Sequence, residues 1–458
     1  MDAILTADQT RAAEAAVFDG GTAPWDLMQR AAGLAAEWVH RLAAGRPIVV
    51  LCGPGNNGGD GYVIAHELTA RGHAVDVVAP ADPASELATR ARALWDGNAS
   101  HTVSLAGACV VDCFFGHGLS RPVDPRFASW LERADAEASF TIAHDIPSNV
   151  ECDSGAILGP IARPDVTLAV GGLKPCHVLM PSAASMGELR VLDIGLDPKA
   201  RWGRLSRRPQ LETPSADAHK YTRGYGAVLA GAMPGAAELA ALGLQGGGAG
   251  YVALIAEDRP TSLPPDIVFH GKLAALDDER LSALVVGPGL GRDAKAVALL
   301  EAALNGAARL VLDADALHLL NPTHRDALSR GTVLLTPHEG ELQALCEAFD
   351  ISGGTKKEHC QKLANATQSL VLATGPDTLL CFGDECIAFP RSSSWLSVAG
   401  SGDVLAGLCA ARLAVEEDCA LAVEQAVWIH AFAARAAGPA FTASDLAASA
   451  RFAFEHFR

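Results

Sequence analysis

The sequence predicts two doubly wound α/β domains in series. The chain has 458 residues, nearly half of them apolar, more than one core usually organises. Short apolar runs lead repeatedly into loops rich in Gly, Asp or Pro and then into helical patterns. Residues 197–218, DPKARWGRLSRRPQLETPSADA, are charged, hold three prolines and lack periodicity. They set the expected boundary between domains 1–208 and 209–458.

Composition excludes several classes. A formal charge of −17 argues against a nucleic-acid partner, because a phosphate backbone needs a basic surface. The eleven cysteines are scattered, and no C-x-x-C pair occurs. The N-terminus, MDAILTADQTRAAEAA, has no secretory apolar region. Free buried thiols in a reducing cytoplasm are the expectation. No apolar run approaches membrane-span length, so no membrane partner is expected. A homo-oligomer of this chain is the expected assembly.

Residues 7–44 read as two helices parted by Gly20-Gly21. The strand Pro47–Cys52 then runs straight into the loop Gly53-Pro54-Gly55-Asn56-Asn57-Gly58-Gly59-Asp60-Gly61, and a helix follows. Strand, Gly-rich loop and helix form the first unit of a doubly wound domain. The two amides and the carboxylate added to the glycines suit hydroxyls or a hard cation. They also suit a simple turn, because Asn and Asp tolerate left-handed backbone. Val110-Val111-Asp112 ends a further strand, before Phe114-Phe115-Gly116-His117-Gly118-Leu119-Ser120-Arg121-Pro122. Thr141–Ser148 repeats the design, with Asp145 at a strand end. Asn57, Asp112, Asp145 and Ser148 therefore share one edge of a predicted parallel sheet.

These residues resemble the YjeF N-terminal domain, the NAD(P)H-hydrate epimerase, over roughly residues 10–205. GPGNNGGDG, DCFFGHGLSRP and HDIPS carry the likeness. The resemblance implies a Rossmann-like fold. It implies that Asn56, Asn57, Gly58, Gly59 and Asp60, the loop Gly116 to Pro122, and Asp145 bind a hydrated nicotinamide. It also implies a potassium ion held by Asn57, Asp112 and Ser148. A Gly is usual where Asn149 stands. Losing the ring hydroxyl gives an iminium-like cation, and re-adding water on the other face inverts the centre. Asp145 is the expected carboxylate that protonates the hydroxyl and later deprotonates water.

In the second half, Tyr251–Ile255 and Ala227–Gly231 read as strands. Four more apolar runs end in Gly287-Pro288-Gly289-Leu290-Gly291, Asp313-Ala314-Asp315, Thr336-Pro337-His338-Glu339, and Thr374-Gly375-Pro376-Asp377-Thr378. This is a second α/β sheet with its polar ends on one edge. The stretch SWLSVAGSGDVLAGLCAARLA, 394–414, completes it. Gly400-Ser401-Gly402 opens an apolar helix whose unpaired N–H groups and dipole suit phosphate. Asp403, next in line, suits a base that takes a proton from an attacking hydroxyl, or an ordinary helix cap. His338 suits a ligand contact or a helix start.

HKYTRG, VVGPGLG, LDADAL, TPHEGE and GSGDVLAG resemble the ribokinase-like family, and within it the YjeF C-terminal NAD(P)H-hydrate dehydratase, over residues 219–407. The resemblance implies hydrate contacts from Gly289, His338 and Asp403. It implies adenine-nucleotide contacts from Thr374, Gly375, Pro376, Asp377, Thr378 and Gly402. A Lys is usual where Thr374 stands, and an Ala-rich helix is usual where LGLQGGGAG stands.

The expected function is nicotinamide nucleotide repair. One domain interconverts the R and S hydrates of NADH and NADPH, and the other dehydrates the S hydrate. Hydroxide leaves poorly, so phosphorylation by ADP or ATP with Mg²⁺ comes first, with Asp403 as base. ADP is the donor that the resemblance implies for bacterial members. The alternative is a ribokinase-type small-molecule kinase with a non-catalytic N-terminal nucleotide-binding domain.

Overall fold

The computed structural model describes residues 2–97, 99, 102–306 and 308–458. The chain divides into two compact units, Met1–Leu205 and Ser206–Arg458.

In the first unit, strands β1 (Ala3–Ile4), β2 (Ile48–Cys52), β3 (Val75–Val78), β4 (Cys109–Cys113), β5 (Phe140–His144), β6 (Val166–Val170), β7 (Glu188–Leu192) and β8 (Gly203–Leu205) follow in order. β1 and β8 pair antiparallel. The others form one parallel sheet in the order β3-β2-β4-β5-β6-β7. β2 and β4 are buried at every position, which is why both read as unbroken apolar runs. From β2 the chain steps outward to β3, then returns to β4 on the other side. The crevice at that switch point, beyond the strand ends, is where doubly wound sheets take ligands. Helices Ala7–Asp19 and Pro24–Ala43 precede β2, as the Gly20-Gly21 break predicts. Thr6 caps the first with a reciprocal Gln9 bond, and Pro24 starts the second, where its missing N–H costs nothing.

In the second unit, β9 (Tyr225–Leu229), β10 (Tyr251–Ile255), β11 (Val268–His270), β12 (Ala283–Val286), β13 (Arg309–Leu312), β14 (Val333–Leu335), β15 (Leu370–Ala373), β16 (Leu379–Phe382) and β17 (Glu385–Ala388) follow. Their order is β17-β16-β15-β14-β13-β12-β9-β10-β11. Pairing is parallel from β11 through β15 and antiparallel across β15-β16-β17. Residues 374–378 therefore turn a hairpin, whereas most strand ends here lead to helices. The apolar run Leu379–Phe382 follows too soon for a helix between. β9 starts at Tyr225, ahead of Ala227, because Tyr225 and Gly226 pair with Tyr251 and Val252.

Helix Ser401–Leu413 packs on helix Pro234–Gly246 almost backbone to backbone. A Cβ on Gly243 would lie 2.3 Å from the Val404 carbonyl oxygen, and one on Gly407 would lie 2.0 Å from that of Ala240. The glycines of both segments thus have a packing reason, and they hold the start of the Asp403 helix against the core. Among the described residues, no helix is long and apolar enough to cross a membrane.

Candidate active sites

The first site lies beyond the ends of β2, β4, β5 and β6. Helix Asn56–Ala70 begins inside the Gly-rich loop. It can do so because residue 58 is Gly: a Cβ there would sit 1.8 Å from the Gly53 carbonyl oxygen. Gly58 and Gly59 are buried, and exposed Asn56 accepts a 2.7 Å bond from Ser85 Oγ. Asn57 is half-buried, and its Nδ2 is buried without a hydrogen-bond partner. A Cβ on Gly116 would lie 3.1 Å from both Asn57 Oδ1 and Asp145 Oδ2. Loop, helix start and strand end therefore converge on Gly116.

Asp145 follows β5 with φ +67, a left-handed conformation that Asp tolerates. Its Oδ1 accepts from Val170 N at 3.2 Å and from the buried Lys174 ammonium, and its Oδ2 faces His117 Nδ1 at 3.3 Å. Burial pushes the carboxyl up, but Lys174 and His117 outweigh it and hold Asp145 well below the usual carboxylate range. His177 Nε2 donates to the Asp145 carbonyl at 2.9 Å, while its Nδ1 accepts from Lys174 N. Burial and then Lys174 lower that imidazole to about 4, so it stays neutral. Asp60 and Glu14 behave oppositely, since burial raises both carboxyls. Asp60 Oδ2 also meets His144 Nε2 at 3.1 Å. Asp145 is thus fixed as an anion beside groups that hold protons more readily. An anion so fixed is suited to facing a positive charge.

Asp112 lies within β4 and is fully buried. Its carboxylate accepts from Ser148 N at 2.8 Å, Ser148 Oγ at 2.7 Å and Phe114 N at 3.1 Å. Burial raises this carboxyl, so a cation would relieve it. The donors of Asp112, Ser148 and Asn57 are oxygens, the set a hard cation prefers. Along Gly116–Pro122, His117 and Leu119 are partly buried, while Gly118, Ser120, Arg121 and Pro122 are exposed. The loop's far end is tied down by Asn149, whose Oδ1 accepts from Val123 N at 2.9 Å and whose Nδ2 donates to the Pro160 carbonyl at 2.7 Å. Asn149 holds φ +72, so the turn keeps the shape a Gly would allow and gains an anchor.

The second site lies beyond β12, β13, β14 and β15, neighbours in the sheet. Gly289 has φ +64, and its carbonyl accepts from Met233 N at 2.8 Å. Asp313 is buried at the end of β13 and accepts from Thr336 Oγ1 at 2.8 Å. Burial above all, with the Glu341 and Asp403 charges, pushes it up to about 7, against the Thr336 bond. His338 caps helix Glu339–Ala348: its Nδ1 accepts from Glu341 N at 3.2 Å, and Glu341 Oε2 accepts from His338 N at 3.0 Å. The ring remains largely exposed, with Nε2 3.6 Å from Glu341 Oε1. Thr374 donates its N–H to the Pro337 carbonyl at 2.8 Å, which sets residues 374–378 beside His338.

Asp403 sits in the first turn of helix Ser401–Leu413, behind Gly400 at φ +90. Gly402 is exposed there, with open space around it. Burial pushes the Asp403 carboxyl up to about 6. A cavity of about 470 Å³ next to this helix start is lined by Ser394, Trp395, Ser397, Val398, Ala440 and Phe441.

Glu14, Lys174 and His177 were not legible as residues of the first cluster. Glu14 lies in an ordinary amphipathic helix. Lys174 carried a faint signal, since it follows Gly171-Gly172 at the end of β6 on the same sheet edge.

Two mainly parallel sheets, each with polar groups gathered at its strand ends, define an enzyme with two candidate small-molecule sites. The family comparisons divide in the same way. Residues 25–176 match the model of the YjeF-related protein N-terminus, and residues 227–452 match that of NAD(P)H-hydrate dehydratase. The bifunctional NAD(P)H-hydrate repair enzyme Nnr of Mycobacterium tuberculosis is 34% identical, over 89% of this chain and 88% of its own. That of Gloeobacter violaceus is 34% identical, over 94% and 92%. A crystal structure of the Bacillus subtilis ADP/ATP-dependent NAD(P)H-hydrate dehydratase with ATP/Mg²⁺ is 26% identical over 54% of this chain and 95% of its own, with a TM-score of 0.46. The chain belongs to the bifunctional NAD(P)H-hydrate repair enzymes, with an epimerase domain followed by a dehydratase domain.

Proposed function

We infer that the two clusters above are the two active sites of this repair enzyme. In the second, Asp403 takes the proton from the hydrate hydroxyl as that oxygen attacks a nucleotide phosphate at the Gly400–Gly402 helix start. The phosphorylated carbon then loses phosphate, pushed by the ring nitrogen lone pair, and loss of the adjacent ring proton restores the dihydronicotinamide. What supports this reading is the setting of Asp403. A carboxyl pushed up to about 6 is a stronger base than an ordinary Asp yet is ionised at neutral pH. It stands beside a helix N-terminus suited to phosphate. Gly289 and His338 contact the hydrate, and residues 374–378 with Gly402 contact the nucleotide.

Mg²⁺ would arrive with the nucleotide. Among the described residues, no cluster of three or more His, Cys, Asp or Glu forms a ready cage. Magnesium commonly depends on substrate phosphates for part of its shell. ADP is the donor we favour.

In the first site, Asn56 to Asp60 and the 116–122 loop hold the hydrate, and ionised Asp145 stabilises the iminium-like cation. Glu14 and Asp60, whose burial favours the protonated form, carry the proton to the leaving hydroxyl and from the incoming water. Asn57, Asp112 and Ser148 would hold potassium, which would balance the buried Asp112 charge. A reducing cytoplasm fits the cysteines, which are free and, except for Cys419, buried.

The testing experiment follows the dihydronicotinamide absorbance after the protein is added to both hydrate epimers with Mg²⁺, K⁺ and either ADP or ATP. Full recovery with phosphate release supports both sites, and the faster nucleotide names the donor. Recovery that stops at the fraction of one epimer removes the epimerase assignment. A stable phosphorylated product removes the dehydratase mechanism in favour of a kinase.

A further inference from the structure

Lys356 is the first residue of helix Lys356–Thr367, capped by Thr355. A cation at a helix N-terminus opposes the dipole, so the position alone does not favour it. Its side chain is nevertheless folded in, only 12% exposed. The ammonium donates to Asp377 Oδ1 at 2.7 Å and to the Asp377 carbonyl at 2.8 Å. Glu339 Oε2 lies 3.8 Å away. The same ammonium closes over Gly375, where a Cβ would lie 3.2 Å from Nζ and φ is +151. One side chain from a different helix thus pins both the side chain and the backbone of the hairpin turn 374–378. Asp377 is itself only 13% exposed, so the ammonium also neutralises a carboxylate that the turn holds largely away from water. Thr374, in the same turn, carries no charge.

We propose that Lys356 is a positioning residue for the nucleotide. It holds the Gly375–Asp377 turn in the shape that receives the nucleotide and acts on affinity rather than on the chemical step. This rests on the reading of residues 374–378 as the nucleotide contact. With the clamp removed, the turn must be ordered by the nucleotide itself, and that lowers affinity.

The test uses the full chain. ADP and ATP are titrated calorimetrically with Mg²⁺, and dehydration of the S hydrate is followed at varied nucleotide and varied hydrate. Lys356→Met should weaken nucleotide binding and raise its KM about tenfold, with kcat and the hydrate KM within about twofold, as loss of ground-state ordering predicts. Lys356→Arg, which can reach the same two oxygens, should recover most of the affinity. Pro376→Glu tests the underlying reading separately, because it adds a negative charge on an exposed residue of the turn. Weakened nucleotide binding in Pro376→Glu with unchanged binding in Lys356→Met overturns the Lys356 role alone. Unchanged binding in both removes the nucleotide assignment of the turn, and the proposal with it. A fall in kcat equal to the rise in KM, without recovery by Arg, makes Lys356 a general fold residue and also overturns the proposal.

Discussion

The Lys174 ammonium donates to Asp145 Oδ1, and both side chains are buried. Lys174 Nζ also donates to the Val170 and Gly172 carbonyls, so its charge is fully engaged. The pair forms because β5 and β6 are parallel neighbours whose ends deliver the two residues to one spot. Removing one partner strands the other charge. Lys174→Met should cost about 3–5 kcal/mol of stability in denaturant melts. It should also abolish epimer exchange while leaving S-hydrate dehydration at the level set by folded protein. Adding Asp145→Asn should restore part of the stability and none of the exchange.

The proposed role of Asp403 as base carries a pH dependence. The carboxyl must be ionised to accept a proton, and it titrates at about 6. The kcat/KM for dehydration should rise as pH passes through about 6 and level off above it. Asp403→Asn should lower kcat by at least about a hundredfold, the usual worth of a positioned base. Epimer exchange should continue unchanged, as chromatography of the two hydrates would show.

Asp313 predicts a stability effect of defined sign. Its carboxyl is near its ordinary value in the unfolded chain and about 7 in the folded one. The native state therefore binds the proton more tightly. The associated stability is complete below about pH 4 and is lost as pH rises through about 7. Asp313→Asn keeps an acceptor for Thr336 Oγ1 without the charge. It should raise stability at pH 8 by a few kcal/mol, order of magnitude about 3, and by much less at pH 5. Thermal melts at both pH values measure the difference.

Asn149 joins a turn to the end of the loop proposed to hold the hydrate. Asn149→Gly keeps the positive φ but loses the bonds to Val123 N and the Pro160 carbonyl. It should cost about 1–3 kcal/mol, the range for a buried group left unpaired. It should also raise the hydrate KM for epimerisation more than it lowers kcat, because the loop loses its anchor. Asn149→Ala adds backbone strain and should be less stable than the Gly variant.

Much of the fold was legible because buried parallel strands must be continuous apolar runs, and their ends must carry the Gly, Asn and Asp that turns and sites require. GPGNNGGDG and HDIPS are such ends, so the sequence by itself determined the α/β class, the two sheets and the edge on which each candidate site sits. Its local pattern also marked Asp403 as a carboxylate at a helix start. Only the tertiary structure decided which side chains meet. Lys174 reaches Asp145 and Lys356 reaches Asp377 through strand order and helix packing, across separations that no local periodicity encodes. The structure also decided charge states. Asp145 and Asp403 look alike in sequence, yet a buried ammonium holds one far below the usual range, and burial without such a partner pushes the other up to about 6. Burial and charge neighbours depend on the assembled fold, and the two proposed roles, stabilising a cation and taking a proton, rest on them.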